Sequence, residues 1–295
     1  MTEIVQQILN ALSLGSLYAL LALGLATVFS VLGLVNFAHG ELITITGFTM
    51  LLMSRLGIPE AFFIPLGIAG ATVGAVAMER VAFRPFRNAP PTTLLVTSFG
   101  LSIVIQQVLL LLTEPKPLPV QTPAVLRTRF SIGPIDVQML QVLMTGVTAL
   151  ALIALVMFLR RSLSGVAMRA AAEKFDILRL MGVRADRVIT WAFAVSGFLA
   201  GIAGVFIVAR RGAVDPFMGF VFVLKAFVAA VLGGFGSLIG AVLGGFALGI
   251  LEVSLEVALP SSVAGFRDAF VFALVGLVLI VRPQGIFGER ERVEI

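Results

Sequence analysis

The sequence predicts an all-α, polytopic helical membrane protein with about eight or nine transmembrane helices, and three observations carry that prediction. Of its 295 residues, 59% are hydrophobic and 13% charged, with a mean hydropathy of +1.09. Soluble domains are about a quarter charged. Apolar runs of span length recur from end to end, separated by short turns rich in Gly, Pro or Arg. The cations gather at span ends and in one loop, the pattern of positive-inside topology. Residues 1–295 therefore read as a single transmembrane domain with no room for a separate soluble one.

Composition also excludes several functions. Cys is absent, so disulfides, thiolate metal sites and Cys nucleophiles are ruled out, and a single His (His39) cannot build a multi-His metal centre. The net charge of +5 and pI near 10.6 come from span-end cations, so nucleic-acid binding is rejected. The start, MTEIVQQILNAL, lacks a cationic n-region and an Ala-x-Ala cleavage site, so the first span is expected to stay.

Taken in order, a first apolar segment runs from about Ile4 to Val35, long for one span, with Gly15, Gly24 and Gly33 along it. The run Gly33-Leu34-Val35-Asn36-Phe37-Ala38-His39-Gly40-Glu41 then interrupts the hydrophobic sequence. Such a break at membrane depth is tolerated where it is buried in protein or lines a wet cavity; the other reading is a simple loop between spans. The second span is expected at about Leu42 to Met53 and the third at about Ala61 to Val81, where Gly67, Gly70 and Gly74 suit close helix contact. Glu79, Arg80, Arg84 and Arg87, with Pro85, Pro90 and Pro91, form a basic turn on the cytoplasmic side. The fourth span is about Thr92 to Leu112.

Thr113 to Gln138 is rich in Pro and of mixed charge. Its Pro density rules out helix, and parity places it outside, as either a docking segment or a passive linker. Spans follow at about Met139 to Leu159 and Val188 to Ala209, with Trp191 at interface depth. Arg210, Arg211, Asp215 and Pro216 make the next outer turn. Three crossings are expected at about 217–233, 236–257 and 266–281, with Gly233-Gly234-Phe235-Gly236 as a tight turn. Gly236, Gly240 and Gly244 predict a helix packed by backbone contact. Gly70-Ala71-x-x-Gly74-x-x-Ala77 is weakly echoed by Gly240-Ala241-x-x-Gly244-x-x-Ala247, as in transporter halves that repeat.

Between the fifth and sixth spans lies a loop, about 160–187, with Arg160, Arg161, Arg169, Lys174, Arg179, Arg184 and Arg187 against Glu173, Asp176 and Asp186. Its cationic excess fixes it on the cytoplasmic side. Ala171, Phe175, Leu178 and Gly182 fall on one helical stripe, while Arg169, Glu173, Asp176 and Arg179 lie off it. A topology signal needs charge but no apolar stripe, so two short amphipathic helices forming a docking surface are expected.

Asp176-Ile177-Leu178-x-x-x-Gly182 sits in the frame of the Glu-Ala-Ala-x-x-x-Gly coupling loop of ABC importer permeases. The run Arg169-Ala170-Ala171-Ala172-Glu173, then Leu180-Met181-Gly182-Val183, resembles the H-type permease subunit of the branched-chain amino acid importers. Ser196 to Val205 (SGFLAGIAGV) and the Val-Asn-Phe-Ala-His-Gly run are similar to the same family. Ile177 and Leu178 replace the usual small pair, and the Ile-x-Leu-Pro that often follows the loop is missing. The resemblance implies a type II ABC importer permease fold and an inner-membrane subunit. Its partners would be a second permease, two ATP-binding subunits and a periplasmic substrate-binding protein. It further implies that Arg169, Glu173, Asp176, Leu178, Arg179, Met181 and Gly182 couple to the ATPase, and it draws Asn36, Phe37, His39 and Gly40 to the translocation path or its cytoplasmic cap.

Intramembrane charge is a functional hypothesis by default. Lys225 is expected to snorkel outward, Glu252 and Glu256 to sit near water at a helix end, and Glu79 to be satisfied by basic neighbours. None of Lys116, Lys174 and Lys225 follows a Gly in a phosphate-loop frame, so no Walker A site is present and ATP hydrolysis would belong to another polypeptide. A secondary carrier or channel leaves the amphipathic loop unexplained. An intramembrane enzyme lacks a nucleophile–base pair. The expected function is a non-catalytic importer permease without cofactor or metal.

Overall fold

The computed structural model describes residues 2–87, 89–113, 115–132, 135–173, 183–234, 236–282 and 284–286. Among them are eleven α-helices: α1 Thr2–Leu32, α2 His39–Arg55, α3 Phe63–Met78, α4 Pro91–Leu112, α5 Ala124–Arg127, α6 Met139–Arg161, α7 Leu163–Glu173, α8 Ala185–Arg211, α9 Met218–Gly233, α10 Leu238–Ala258 and α11 Arg267–Val281. Seven helical stretches are long and apolar enough to cross a membrane. Helix α2 and the apolar helix α9, 17 and 16 residues long, reach only about 25 Å at 1.5 Å per residue. Both lie inside the bundle rather than around it.

Two faces of the bundle follow from side-chain contacts. Asn10 of α1 accepts a hydrogen bond from Gln141 at the start of α6 (2.8 Å), so both helices begin at one face. Strands Arg129–Ile132 and Ile135–Gln138 form an antiparallel hairpin there, leading into α6. Arg84 and Arg87, beyond α3, pair with Asp186 at the start of α8 on the opposite, basic face. The positive-inside rule makes that face cytoplasmic. α1 therefore runs inward and α8 outward.

The Pro-rich stretch contains more regular structure than its Pro density predicts. Besides the one-turn helix α5 and the hairpin, Leu118–Pro119 pairs antiparallel with Ala213–Val214. Pro119 is the last residue of its strand and Pro123 the N-cap of α5, positions where no backbone N–H is needed. The expected third span also ends differently. After α3 comes a π-helical turn, Glu79–Phe83, and a 3₁₀ turn, Arg84–Phe86.

Helices α1–α2–α3 and α8–α9–α10 form an inverted repeat. α1 ends at Gly33 (φ 64°), whose N–H bonds Phe29 O at 2.7 Å; α8 ends at Gly212 (φ 68°), bonded to Val208 O at 2.8 Å. Left-handed backbone at both C′ positions is what glycine allows without strain. Three residues on, the Asn36 and Asp215 side chains accept from the N–H groups of Ala38 and Phe217, at 3.0 and 3.1 Å. Their carbonyls accept from the first helical N–H of α2 and α9, at 3.2 and 3.3 Å. Contacts reciprocate: α1 packs on α10 as α8 packs on α3, and α2 on α8 as α9 on α1. The small-residue echo noted in the sequence falls on α3 and α10, the third member of each triplet.

Candidate functional site: the midplane helix starts and the basic face

The sequence break is shorter than expected, because His39, Gly40 and Glu41 already form the first turn of α2. This turn begins deep in the bundle. His39 Nδ1 lies 3.0 Å from Ser196 Oγ, midway along α8, and its ring lies against Gly24 of α1. Gly40 meets Gly219 at the start of α9, and a Cβ on either would collide with the other's carbonyl. Gly219 N–H donates to Thr44 Oγ1 at 3.2 Å. Two short helices thus start back to back near the midplane, α2 running outward and α9 inward. Discontinuous helices of this kind place backbone dipoles where transporters handle solutes. Asn36, Phe37, His39 and Gly40, the residues singled out from sequence, are all buried here.

Sequence reasoning missed the partners of this turn. Ser98, Ser102 and Gln106 form a buried stripe on α4, a helix otherwise largely exposed. Ser98 Oγ accepts from Phe37 N–H at 3.2 Å, and Ser102 and Gln106 donate to Glu41 Oε1 at 2.8 and 2.7 Å. Their spacing of four, in an apolar helix, was the available signal.

Lys225 does not snorkel. Its Nζ lies 2.9 Å from Glu252 Oε1, 2.9 Å from Asp268 Oδ1 and 3.3 Å from Tyr18 Oη, with only 6% of its side chain exposed. Tyr18 Oη donates to Glu252 Oε2 at 2.5 Å, and Arg267 bridges Glu252 and Glu256 at 3.2 and 2.8 Å. The Lys225 side chain leans back along α9, as helical side chains do, and meets carboxylates of α10 and α11 before it reaches water. Glu252 is likewise buried rather than wet, while Glu256 stays exposed.

At the glycine turn, Gly234 and Gly236 have φ of 102° and 99°. Gly240 and Gly244 back directly onto Gly233 and Ala229 of α9, as close packing requires. Gly236 differs: nothing lies within 4 Å of where its Cβ would be, so it serves the turn's left-handed backbone and not helix contact.

On the basic face, the π-helical turn carries Glu79 to a buried position, its side chain 1% exposed. Arg87 pairs with both Glu79 and Asp186, and Thr190 donates to Glu79 Oε2 at 3.1 Å. Beside this network a groove of about 910 Å³ is lined by Arg80, Arg84, Arg184, Arg187 and Trp191 among others. α7 packs here through Met168 and Ala171, with Arg169 exposed. Glu173 is the last residue of α7. Asp176, Leu178, Arg179, Met181 and Gly182, with most of the apolar stripe, lie outside the described residues.

The network predicts unequal mutational costs. Arg87→Met strands the buried Glu79 carboxylate and should destabilise the protein by about 3–5 kcal/mol. Asp186 is 57% exposed, so Asp186→Asn should cost under about 1 kcal/mol. Thermal unfolding of the two variants in detergent checks the contrast, and equal shifts would count against it.

Residues 7–281 match the family model for the permease component of branched-chain amino acid transport systems. The chain is 36% identical to the high-affinity branched-chain amino acid transport system permease protein LivH of Escherichia coli, over 97% of this chain and 96% of that one. It is 34% identical to the permease protein BraD of Pseudomonas aeruginosa, with the same coverage. The ribose import permease protein RbsC of Haemophilus influenzae is 25% identical over 85% of this chain and 79% of its own. With an inverted repeat, two midplane helix starts and this match over nearly its whole length, the chain belongs to the permease-component family of branched-chain amino acid transport systems.

Proposed function

We propose that this chain is a permease subunit of an ATP-binding-cassette importer that carries branched-chain amino acids across a bacterial inner membrane. The whole chain acts as one transmembrane domain and performs no chemistry. A second permease, two ATP-binding subunits and a periplasmic substrate-binding protein complete the assembly. The observation that carries this reading is the pairing of α2 and α9 within an inverted repeat of a branched-chain permease family member. Those helices sit on a bundle whose basic face holds α7 and the groove beside Asp186. Asn36, Phe37, His39 and Gly40 border the path. The ATPases dock on Arg169, Glu173, Asp176, Leu178, Arg179, Met181 and Gly182. ATP-driven closure moves that segment against α8, and the bundle switches between two arrangements. The hairpin face receives the loaded binding protein.

Co-purification tests the assembly. The tagged chain, solubilised from its native membrane, should bring down an ATPase pair, a second permease and a binding protein loaded with leucine, isoleucine or valine. A chain that comes out alone and moves solute in liposomes without ATP would instead be a carrier. Gly182→Asp should leave the protein in the membrane and uncouple ATP hydrolysis from uptake; normal uptake in that variant would sink the docking assignment.

A further inference from the structure

Glu41 differs from the other buried acids. Among the described residues, Glu79 and Glu252 each lie within salt-bridge distance of a cation, and Glu41 of none. It is fully buried in the first turn of α2. Oε1 takes the hydrogen bonds from Ser102 and Gln106, and the Thr44 hydroxyl stands close to the carboxylate, while Oε2 accepts no hydrogen bond of good geometry. A carboxylate held inside a membrane protein with one oxygen free is costly unless a cation or donor arrives to use it.

Its surroundings define what would fit. One turn along α4, Ser98 holds the backbone of Phe37. The Phe37 ring stacks on Phe99 of α4, centroids 4.3 Å apart, and meets Phe227 of α9 at 5.5 Å. A polar end holding the Glu41 carboxylate and an aromatic end thus adjoin between α2, α4 and α9. α4 buries only Leu94, Ser98, Ser102 and Gln106, so polar bonds provide much of its attachment, and these can be exchanged for bonds to a ligand.

We propose that Glu41 receives the α-ammonium group of the amino acid in transit, with the Ser102 hydroxyl oxygen as a neighbouring acceptor, the Gln106 amide N–H steadying the Glu41 carboxylate, and Phe37, Phe99 and Phe227 against the cargo's aliphatic side chain. This inference rests on the proposed importer function and assigns its cargo a midplane subsite. In the present arrangement the subsite is closed; displacement of α4 opens it. Glu41 is then the counter-charge that lets a zwitterion pass the bilayer centre, where an unpaired ammonium is strongly disfavoured.

Two measurements on the complete complex, reconstituted with its ATPases and binding protein, test this. Glu41→Gln keeps the side chain's shape and removes its charge. ATP-driven leucine uptake should fall by about tenfold or more while ATP hydrolysis and co-purification of the ATPases persist, and Glu41→Asp should recover part of it. Uptake at the wild-type level in Glu41→Gln would overturn the proposal. The second measurement keeps Glu41 and uses the absence of Cys from the chain. A single Ile105→Cys thiol on α4 is labelled during ATP turnover with a cationic or an anionic methanethiosulfonate, read on this chain by mass. The cationic reagent should react about tenfold faster, and leucine should slow it. Equal rates, or no labelling by either reagent, overturn the subsite. If the wild-type complex fails to import leucine yet the cationic preference holds, the cargo assignment falls and the cation site stands.

Discussion

Lys225→Met is expected to be among the most damaging single substitutions in this chain. It removes the cation shared by Glu252, Asp268 and the Tyr18 hydroxyl and leaves Glu252, 3% exposed, with Arg267 as the one cation among the described residues and the Tyr18 hydroxyl as a donor. Breaking a buried pair from one side costs about 3–5 kcal/mol, because the remaining charge stays desolvated. The loss should appear as lower yield in the membrane fraction and earlier thermal unfolding in detergent. Lys225→Met with Glu252→Gln removes both charges and should recover part of that stability. If Lys225→Met alone were as stable as the wild type, the cluster would be peripheral to the fold. The same cluster ties α9, α10, α11 and α1 together, so the single variant should also lose transport.

The second large effect is expected at Gly219. Its Cα faces the Gly40 carbonyl, with Thr44 Oγ1 beside it. Gly219→Val adds a branched side chain where backbone meets backbone, and no side chain there can move aside. Overpacking of a well-packed interior typically costs about 1–3 kcal/mol, and a backbone–backbone crossing should sit at or above the top of that range. α2 and α9 would be forced apart and Glu41 displaced from Ser102 and Gln106. Leucine uptake should be abolished even in protein that inserts. Gly146→Ala, at a helix position with nothing within 4 Å, is the matched control and should be close to neutral. Similar losses in both variants would mean that the crossing is not the cause.

Most of the spans were legible because hydropathy is a local property: α4, α6, α8 and α10 fall within a few residues of their expected limits. So were the interruption near His39 and the glycines of α10, since a polar residue in an apolar run and a small-residue spacing are readable along one strand of sequence. Features that depend on a distant partner were not. Whether Lys225 snorkels or stays inside depends on Glu252 and Asp268 being within reach, and no local pattern states that. The pairing of Leu118–Pro119 with Ala213–Val214 joins segments far apart in the chain. The π-helical turn at Glu79–Phe83 carries a carboxylate whose partners, Arg87 and Thr190, lie elsewhere in the chain, so no local pattern marks it. The repeat was faintly visible in Gly70–Ala77 and Gly240–Ala247. Its clearest markers are Gly33 and Gly212, whose matching left-handed backbone and following turns are features of the folded chain.

The two halves of that repeat are not equally anchored. Thirteen residues beyond the capping glycine of each half stand Thr46 and Lys225. Thr46 bonds only its own helix, to Leu42 O at 2.9 Å, whereas Lys225 is tied to three neighbouring helices. A chain made of two like units set head to tail has two nearly equivalent resting arrangements, with the roles of the units exchanged. Bolting one unit down breaks that equivalence, so α9 should hold its place while α2, with α4 hung on Glu41, shifts. The stroke delivered at the basic face should therefore register first as a change around α2, leaving the Lys225 cluster intact through the cycle.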